Sequence, residues 1–291
     1  MSNRMNSYRA FVCLIATFAM VQIGDVAAQD NEIASGSGAA PAYSYPTVEI
    51  GGYVAEDGGS GSINAILPLA MQGSHALLFL GADATMFGAN PDSGGFDAAP
   101  YNVGAYIGYR SQIGDGAGVL GLWAGADTMR TQYGNSYQRL IVGAEYFGSR
   151  LIARVSGFVP FDGESAQWSE AVIVGGIPVE ASYVEETPAG IDAEVGLRFE
   201  MPALPEVDRP GELRIFAGAY NYSGLAEDGD DVAGGRGRIE LDLYPIQSAP
   251  ETRLTFELSY SGDSFHGGNV SGGVRLSIPL GDQSAAHMAV A

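Results

Sequence analysis

The stretch Gly190–Met201, GIDAEVGLRFEM, decides the fold. Ile191, Ala193, Val195, Leu197, Phe199 and Met201 share one parity, while Asp192, Glu194, Gly196, Arg198 and Glu200 take the other. Period two predicts an extended strand whose two faces differ in polarity. A soluble sheet turns the apolar face to a core and the charged face to water. A lipid-embedded barrel reverses this, with apolar side chains outward and charge gathered inside.

The same alternation recurs along the chain. Twelve segments carry it, at approximately 47–56, 61–71, 75–86, 101–113, 117–130, 136–147, 150–161, 189–201, 212–224, 235–246, 252–263 and 270–280. Most suit a tilted membrane strand, which needs roughly 9–11 residues in hydrocarbon plus wetted ends. The links alternate as well. On the side of the N-terminus they read QGS, GDGAG, GS, ALPEVDRPG and QSAPE; on the other side are FGANPDSGGFDAAP, the long stretch 162–188, LAEDGDDVAGG and SFHGGN. Short turns on one side and longer loops on the other are typical of outer-membrane barrels. Within 162–188, EAVIV and IPVEASYVE predict an extra hairpin standing clear of the barrel.

Charge placement separates the two readings. With the apolar parity of each strand placed outward, Arg110, Arg139, Arg150, Arg154, Arg198, Arg214, Arg236, Arg238, Arg253 and Arg275 fall inward. With them fall Glu49, Asp83, Asp127, Glu145, Asp192, Glu194, Glu200, Glu212, Glu240, Asp242 and Glu257. The inward face is nearly neutral, and the surplus acid lies in leader, loops and tail. Outward positions such as Thr252, Leu254, Phe256, Leu258 and Tyr260 carry no charge. That obeys the cost of a cation on the lipid face, roughly 2–4 kcal/mol at the bilayer midplane. Tyr101, Tyr133, Tyr146, Phe161, Phe199, Tyr222, Tyr244 and Phe265 stand near strand ends, as interfacial aromatic girdles require. The sequence therefore predicts an all-β transmembrane antiparallel barrel of about twelve strands.

The rest of the chain sets the frame. Arg4 and Arg9, the apolar run AFVCLIATFAMVQIG and the small residues VAA before Gln29 read as a secretory signal over 1–28, cleaved after Ala28. A polar, proline-marked leader follows over 29–46, then the barrel over 47–281 and a short C-terminal tail over 282–291. The sole cysteine, Cys13, lies inside the signal, so no disulfide framework is expected. Lysine is absent and the net charge is −20, which argues against nucleic acid, whose phosphates need clustered Arg and Lys.

From VLGLWAGADTMRTQYGNSYQRLIVGAEYF through RLIARVSGFVPF, PAGIDAEVGLRFEMPAL, LRIFAGAYNY and RGRIELDLYPI to TRLTFELSYS, the chain resembles the translocator barrel of inverse autotransporters, the intimin and invasin family. The resemblance spans about 47–281 and rests on order, spacing and pieces such as GAEYF. It implies a twelve-stranded outer-membrane barrel through which a C-terminal passenger of adhesive domains is threaded. At the C-terminal end only GDQSAAHMAVA follows the last strand, so the resemblance carries fold and location here and not adhesion. The terminal segment SGGVRLSI, Ser271 to Ile278, also follows the polar and apolar pattern read by barrel assembly machinery.

Candidate chemistry is sparse. Asp263 and His266 in SGDSFHGGN fit the rim of an omptin-type protease, and Ser264 beside them a rim lipase, but an ordinary loop reading is simpler. The acids Glu227, Asp228, Asp230 and Asp231 lack the spacing and terminal Glu of a dedicated calcium loop. The inward charges either satisfy one another and stiffen the barrel or line a pore for anions and polar solutes. The reading is a non-enzymatic barrel in the bacterial outer membrane, acting as a pore or polypeptide-translocating barrel without a fused adhesin and without a cofactor. Its alternative is an anchor presenting acidic loops. The expected partners are outer-membrane lipid, lipopolysaccharide, barrel assembly machinery and a separately encoded passenger. The lumen is expected to be lined by Arg110, Asp127, Arg139, Glu145, Arg154, Asp192, Glu194, Arg198, Glu200, Arg214, Arg236, Arg238, Glu240, Asp242, Arg253, Glu257 and Arg275.

Overall fold

The structure is a computed structural model that describes residues 46–55, 58–72, 75–88, 99–114, 117–131, 134–162, 165–174, 177–187, 189–203, 209–223, 231–246, 249, 251–263 and 267–280. Residues 1–45, Tyr133, Glu227, Asp228, Asp230, Ser264, Phe265, His266 and the tail with His287 lie outside the described residues.

Among the described residues, fourteen strands form in chain order. They are β1 Thr47–Ala55, β2 Gly58–Gln72, β3 Ala76–Phe87, β4 Tyr101–Ile113, β5 Gly118–Arg130, β6 Ser136–Gly148, β7 Leu151–Asp162, β8 Ser165–Val174, β9 Ile177–Glu186, β10 Ala189–Met201, β11 Gly211–Ser223, β12 Val232–Leu243, β13 Arg253–Asp263 and β14 Gly267–Pro279. Twelve close into one antiparallel barrel; β8 and β9 pair only with each other as a separate two-stranded sheet. The barrel closes where β1 runs antiparallel to β14 from Thr47↔Pro279 to Ala55↔Ser271. The Leu280 amide donates to the Pro46 carbonyl (2.6 Å) just beyond that seam. Closure satisfies the backbone of both terminal strands and leaves the barrel no open edge.

Along β10 burial alternates without a fault from Ile191 to Arg198. Ile191, Val195, Leu197 and Phe199 are about half exposed, whereas Asp192, Glu194 and Arg198 are buried. Ile50, Ile63, Leu80, Ile107, Leu122, Val142, Ile215, Ile239, Leu258 and Val274 extend this apolar exterior around the barrel. A soluble protein does not show so continuous an apolar surface. It is a wall for lipid.

Inside, a pairing rule absent from the polarity pattern governs the packing. Seven inward aromatic rings each lie over a glycine directly opposite on the neighbouring strand: Tyr53 on Gly273, Phe79 on Gly108, Tyr106 on Gly81, Trp123 on Gly143, Phe216 on Gly196, Tyr220 on Gly234 and Tyr222 on Gly190. A Cβ at any of these glycines would enter the ring. The rings therefore lie against the wall, supported by bare backbone.

Several expectations need correction. Strands β2, β12 and β14 each start three residues before the predicted segment, because the added stretches, with Gly58, Gly59, Gly234, Gly267 and Gly268, show no alternation of polarity. As a result the two ends differ less in loop length than expected. The nine-residue links 202–210 and 244–252 share an end with the turns at 149–150 and 114–117, while links of two and three residues, 56–57 and 264–266, lie at the other. Arg150, expected inward, is exposed because it sits in the tight turn between β6 and β7. Glu200 keeps the inward parity of β10 but is exposed close to the strand's end. Thr252 is buried, since it precedes β13 and its amide donates to the Ala249 carbonyl (2.9 Å). Tyr222 and Tyr244 are buried rather than interfacial. Tyr222 occupies the space over Gly190, and the Arg209 guanidinium lies 3.7 Å from the centroid of the Tyr244 ring.

Gly196→Ala should weaken the fold by about 1–3 kcal/mol through overpacking against Phe216. Gly157→Ala, whose Cβ would meet only Val142 Cγ2 at 3.6 Å and the Gly190 carbonyl at 3.9 Å, should be nearly neutral. Urea midpoints in detergent micelles, followed by far-UV circular dichroism, distinguish the two.

The charged lumen as candidate functional site

Strands β1, β7 and β10–β14 are consecutive around the barrel and turn their charged parity inward. Cross-strand pairing then aligns opposite charges, Arg214 with Glu240 and Arg154 with Glu194. The centre is Glu240 on β12, with no exposed surface. Its carboxylate receives Arg214 (2.9 Å), Arg275 (2.6 Å) and Arg238. Asp242 takes Arg214 and Arg253 (3.7 Å), and accepts the Thr255 hydroxyl (2.6 Å). Glu49 on β1 meets Arg253 (3.4 Å) and Arg275 (3.9 Å), and Glu257 meets Arg275 (3.5 Å) and Arg238 (4.0 Å). Toward β10, Glu194 gathers Arg154 (3.8 Å), Arg236 (3.3 Å) and Arg238, and Arg236 also holds Asp192 (2.6 Å).

These residues form one connected network. Six arginines (154, 214, 236, 238, 253 and 275) face six acids (49, 192, 194, 240, 242 and 257). It is neutral, as a desolvated charge cluster must nearly be, because an uncompensated buried ion costs several kcal/mol. Nearer the N-terminal end of the barrel Arg198 pairs with Glu212 (3.2 Å).

The remaining arc, β2–β6, differs. Arg110 bonds Glu145, and Arg139 grips Asp127 through Nε (3.0 Å) and Nη2. Around them are Phe79, Tyr106, Trp123, Ile141 and Phe147, with the uncharged polar side chains Ser62, Asn64, Thr85 and Asn102, all buried. Aromatic faces support guanidinium groups on both arcs. Arg110 lies 4.7 Å from the Phe79 centroid, Arg238 4.4 Å from Phe216 and Arg139 5.2 Å from Phe158. Such contacts strengthen as water is excluded.

Of the seventeen side chains expected in the lumen, sixteen are buried inside the barrel, Arg236 among them with 8% of its side chain exposed, and Glu200 is exposed. Arg214, Glu240 and Asp242 have no exposed surface, so the lumen at their level is packed rather than open. Sequence reasoning found the charges but missed the aromatic filling and the buried polar row of Ser62, Asn64, Thr85 and Asn102. The signal available was the glycine facing each ring. At the far end Asp263 accepts the Tyr220 hydroxyl (3.1 Å), while His266, its candidate rim partner, lies outside the described residues. His75 is exposed, its Nδ1 3.2 Å from Gln112 Oε1.

An outer membrane channel from Pseudomonas putida F1 is similar over 85% of this chain and 99% of its own, with TM-score 0.56 and 11% identity. This is an outer-membrane barrel fold. The barrel is likewise similar, at TM-score 0.54 and 15% identity, to a chain from a study of in-meso crystallization of membrane proteins, covering 82% of this chain and 86% of that one. The translocator domain of autotransporter NalP from Neisseria meningitidis matches at TM-score 0.40 and 13% identity, over 91% and 96% of the two chains. No protein-family model and no curated protein matches the barrel's sequence.

Glu240→Ala leaves three arginines facing one lost carboxylate, and should cost about 3–5 kcal/mol of stability. Glu200→Ala, at an exposed position on the same parity, should change stability by less than about 0.5 kcal/mol. Equilibrium unfolding in micelles measures both.

Proposed function

We propose that this chain resides in the bacterial outer membrane, exported by a cleaved signal peptide. There it acts as a pore or polypeptide-translocating barrel related to the inverse autotransporter translocator, closed at rest by its own ionic filling. Lipid, lipopolysaccharide and barrel assembly machinery are its partners in this reading, and a separately encoded passenger or a polar solute is its cargo.

The observation that supports it is the polarity of the interior. Well-packed apolar side chains of similar volume would hold a barrel together as well as buried ion pairs, or better. A six-and-six ionic network is therefore a poor device for stability alone. It suits a lumen that must admit water or a polar chain when it opens, because the arginines and carboxylates can exchange partners for water and for cargo. The resemblance of 47–281 to the intimin and invasin translocator supports the same class.

A second reading, an anchor for a surface module, draws on one observation: β8 and β9 form a hairpin of their own, outside the barrel sheet. Conductance separates the two. In planar bilayers the wild-type barrel should be largely silent at low voltage. The double variant Arg214→Ala, Glu240→Ala, which removes charge from the packed level without changing its balance, should give steady openings. A barrel that stays silent in both forms would support the anchor and contradict the pore.

A further inference from the structure

Among the described residues, the charges turned into the lumen balance except at one place. The six-and-six network and the pairs Arg198–Glu212, Arg110–Glu145 and Arg139–Asp127 match nine arginines to nine acids. A tenth acid, Asp83 on β3, is 8% exposed and makes no ion pair among the described residues. Its row runs across the sheet as Arg253, Ser277, Glu49, Asn64, Asp83, Gly104, Asp127 and Arg139; Arg253 is engaged by Glu49 and Asp242, and Arg139 is bidentate on Asp127. The Asp83 carboxylate leans over Gly104, where a Cβ would stand 2.8 Å from its Oδ1. An anion this deep without an ion pair is costly.

Neutral oxygen groups lie beside it on β2 and β3. Asn64 lies directly opposite Asp83, and Ser62 directly opposite Thr85, so four inward side chains make a two-by-two patch on β2 and β3. Opposed pairs of this kind hold their Cβ atoms about 5 Å apart. All four are buried, with Asn64 and Thr85 only 3% and 2% exposed. Asn64 uses its amide nitrogen on the Tyr106 hydroxyl (3.2 Å), which leaves the carbonyl end as the acceptor. Thr85 Oγ1 is buried with no hydrogen-bond partner. That unpartnered oxygen, two residues from an uncompensated carboxylate on the same face, is an independent sign of a missing ligand.

We infer that Asp83, Asn64, Ser62 and Thr85 bind a monovalent alkali cation, sodium or potassium, as the fixed counter-ion of the lumen. One carboxylate among neutral hydroxyl and amide oxygens balances a single positive charge. Divalent sites gather several oxygen ligands with more than one carboxylate, and among the described residues no three His, Cys, Asp or Glu side chains come together to hold a metal. The cation ties β2 to β3 on the arc that lacks the ionic network. This inference rests on the fold and not on the proposed pore.

The test is thermal unfolding of the full chain in detergent micelles at fixed neutral pH, in sodium, potassium and choline chloride at matched ionic strength. Sodium or potassium should raise the midpoint saturably by several degrees over choline, which is too large for the patch. Asp83→Asn should abolish the difference. Thr85→Val, which removes one ligand and no charge, should raise the half-saturating concentration about tenfold and keeps the test open if Asp83→Asn does not fold. Equal midpoints in all three salts would overturn the inference, as would a cation effect that survives Asp83→Asn. A midpoint that rises equally in every salt on acidification would assign the place to a proton. Submillimolar calcium binding lost in Asp83→Asn would assign it to a divalent ion. Either result overturns the monovalent site.

Discussion

Backbone amides and carbonyls have no partner in hydrocarbon, so a chain that crosses lipid in strands must pair every strand on both sides. The seam between β1 and β14 meets that requirement, and much else follows from it. Once the sheet is closed, each strand has an inside and an outside, and side-chain alternation becomes a sorting between two solvents. Leucine, isoleucine, valine and phenylalanine take the lipid face. Arginine, glutamate and aspartate have nowhere to go but inward, and once inside they must neutralise one another.

The interior solves that second problem in two ways. Seven consecutive strands carry a single ionic network centred on Glu240, which no single pair could replace, since its arginines are shared among several carboxylates. The other five rely mainly on aromatic rings, two local ion pairs and neutral polar groups. Guanidinium groups stacked on Phe79, Phe158 and Phe216 join the two chemistries, since a flat cation gains from a ring face what it loses in hydration. The glycines opposite the rings let bulky groups lie along the wall.

Much of this was legible in the residues because polarity alternates with the pleat. The β10 stretch alone carries strand, faces and inside-out sense, and the hairpin of β8 and β9 was visible as two short β-rich runs. What escaped has a common cause. Glycine has no polarity, so Gly58–Gly59, Gly234 and Gly267–Gly268 helped to hide the starts of three strands and distorted the expected loop lengths. Parity also cannot reveal pairing partners. Tyr222 read as an interfacial ring until its neighbour proved to be Gly190, and Asp83 read as one more lumen acid until Asn64, rather than an arginine, proved to stand opposite.

A lumen filled largely with paired charge is a polar interior packed with its own side chains. Everything inside the barrel depends on the sense of the wall, on which of its faces meets lipid. Single spin labels at positions 191, 193, 195 and 197 of the barrel in lipid vesicles measure that sense directly, through relaxation by oxygen, which concentrates in lipid, and by a water-soluble nickel chelate. High oxygen and low nickel accessibility at all four, greatest in oxygen near 195, is the expected result. Strong nickel accessibility at these positions would place water on the apolar face and contradict the membrane barrel.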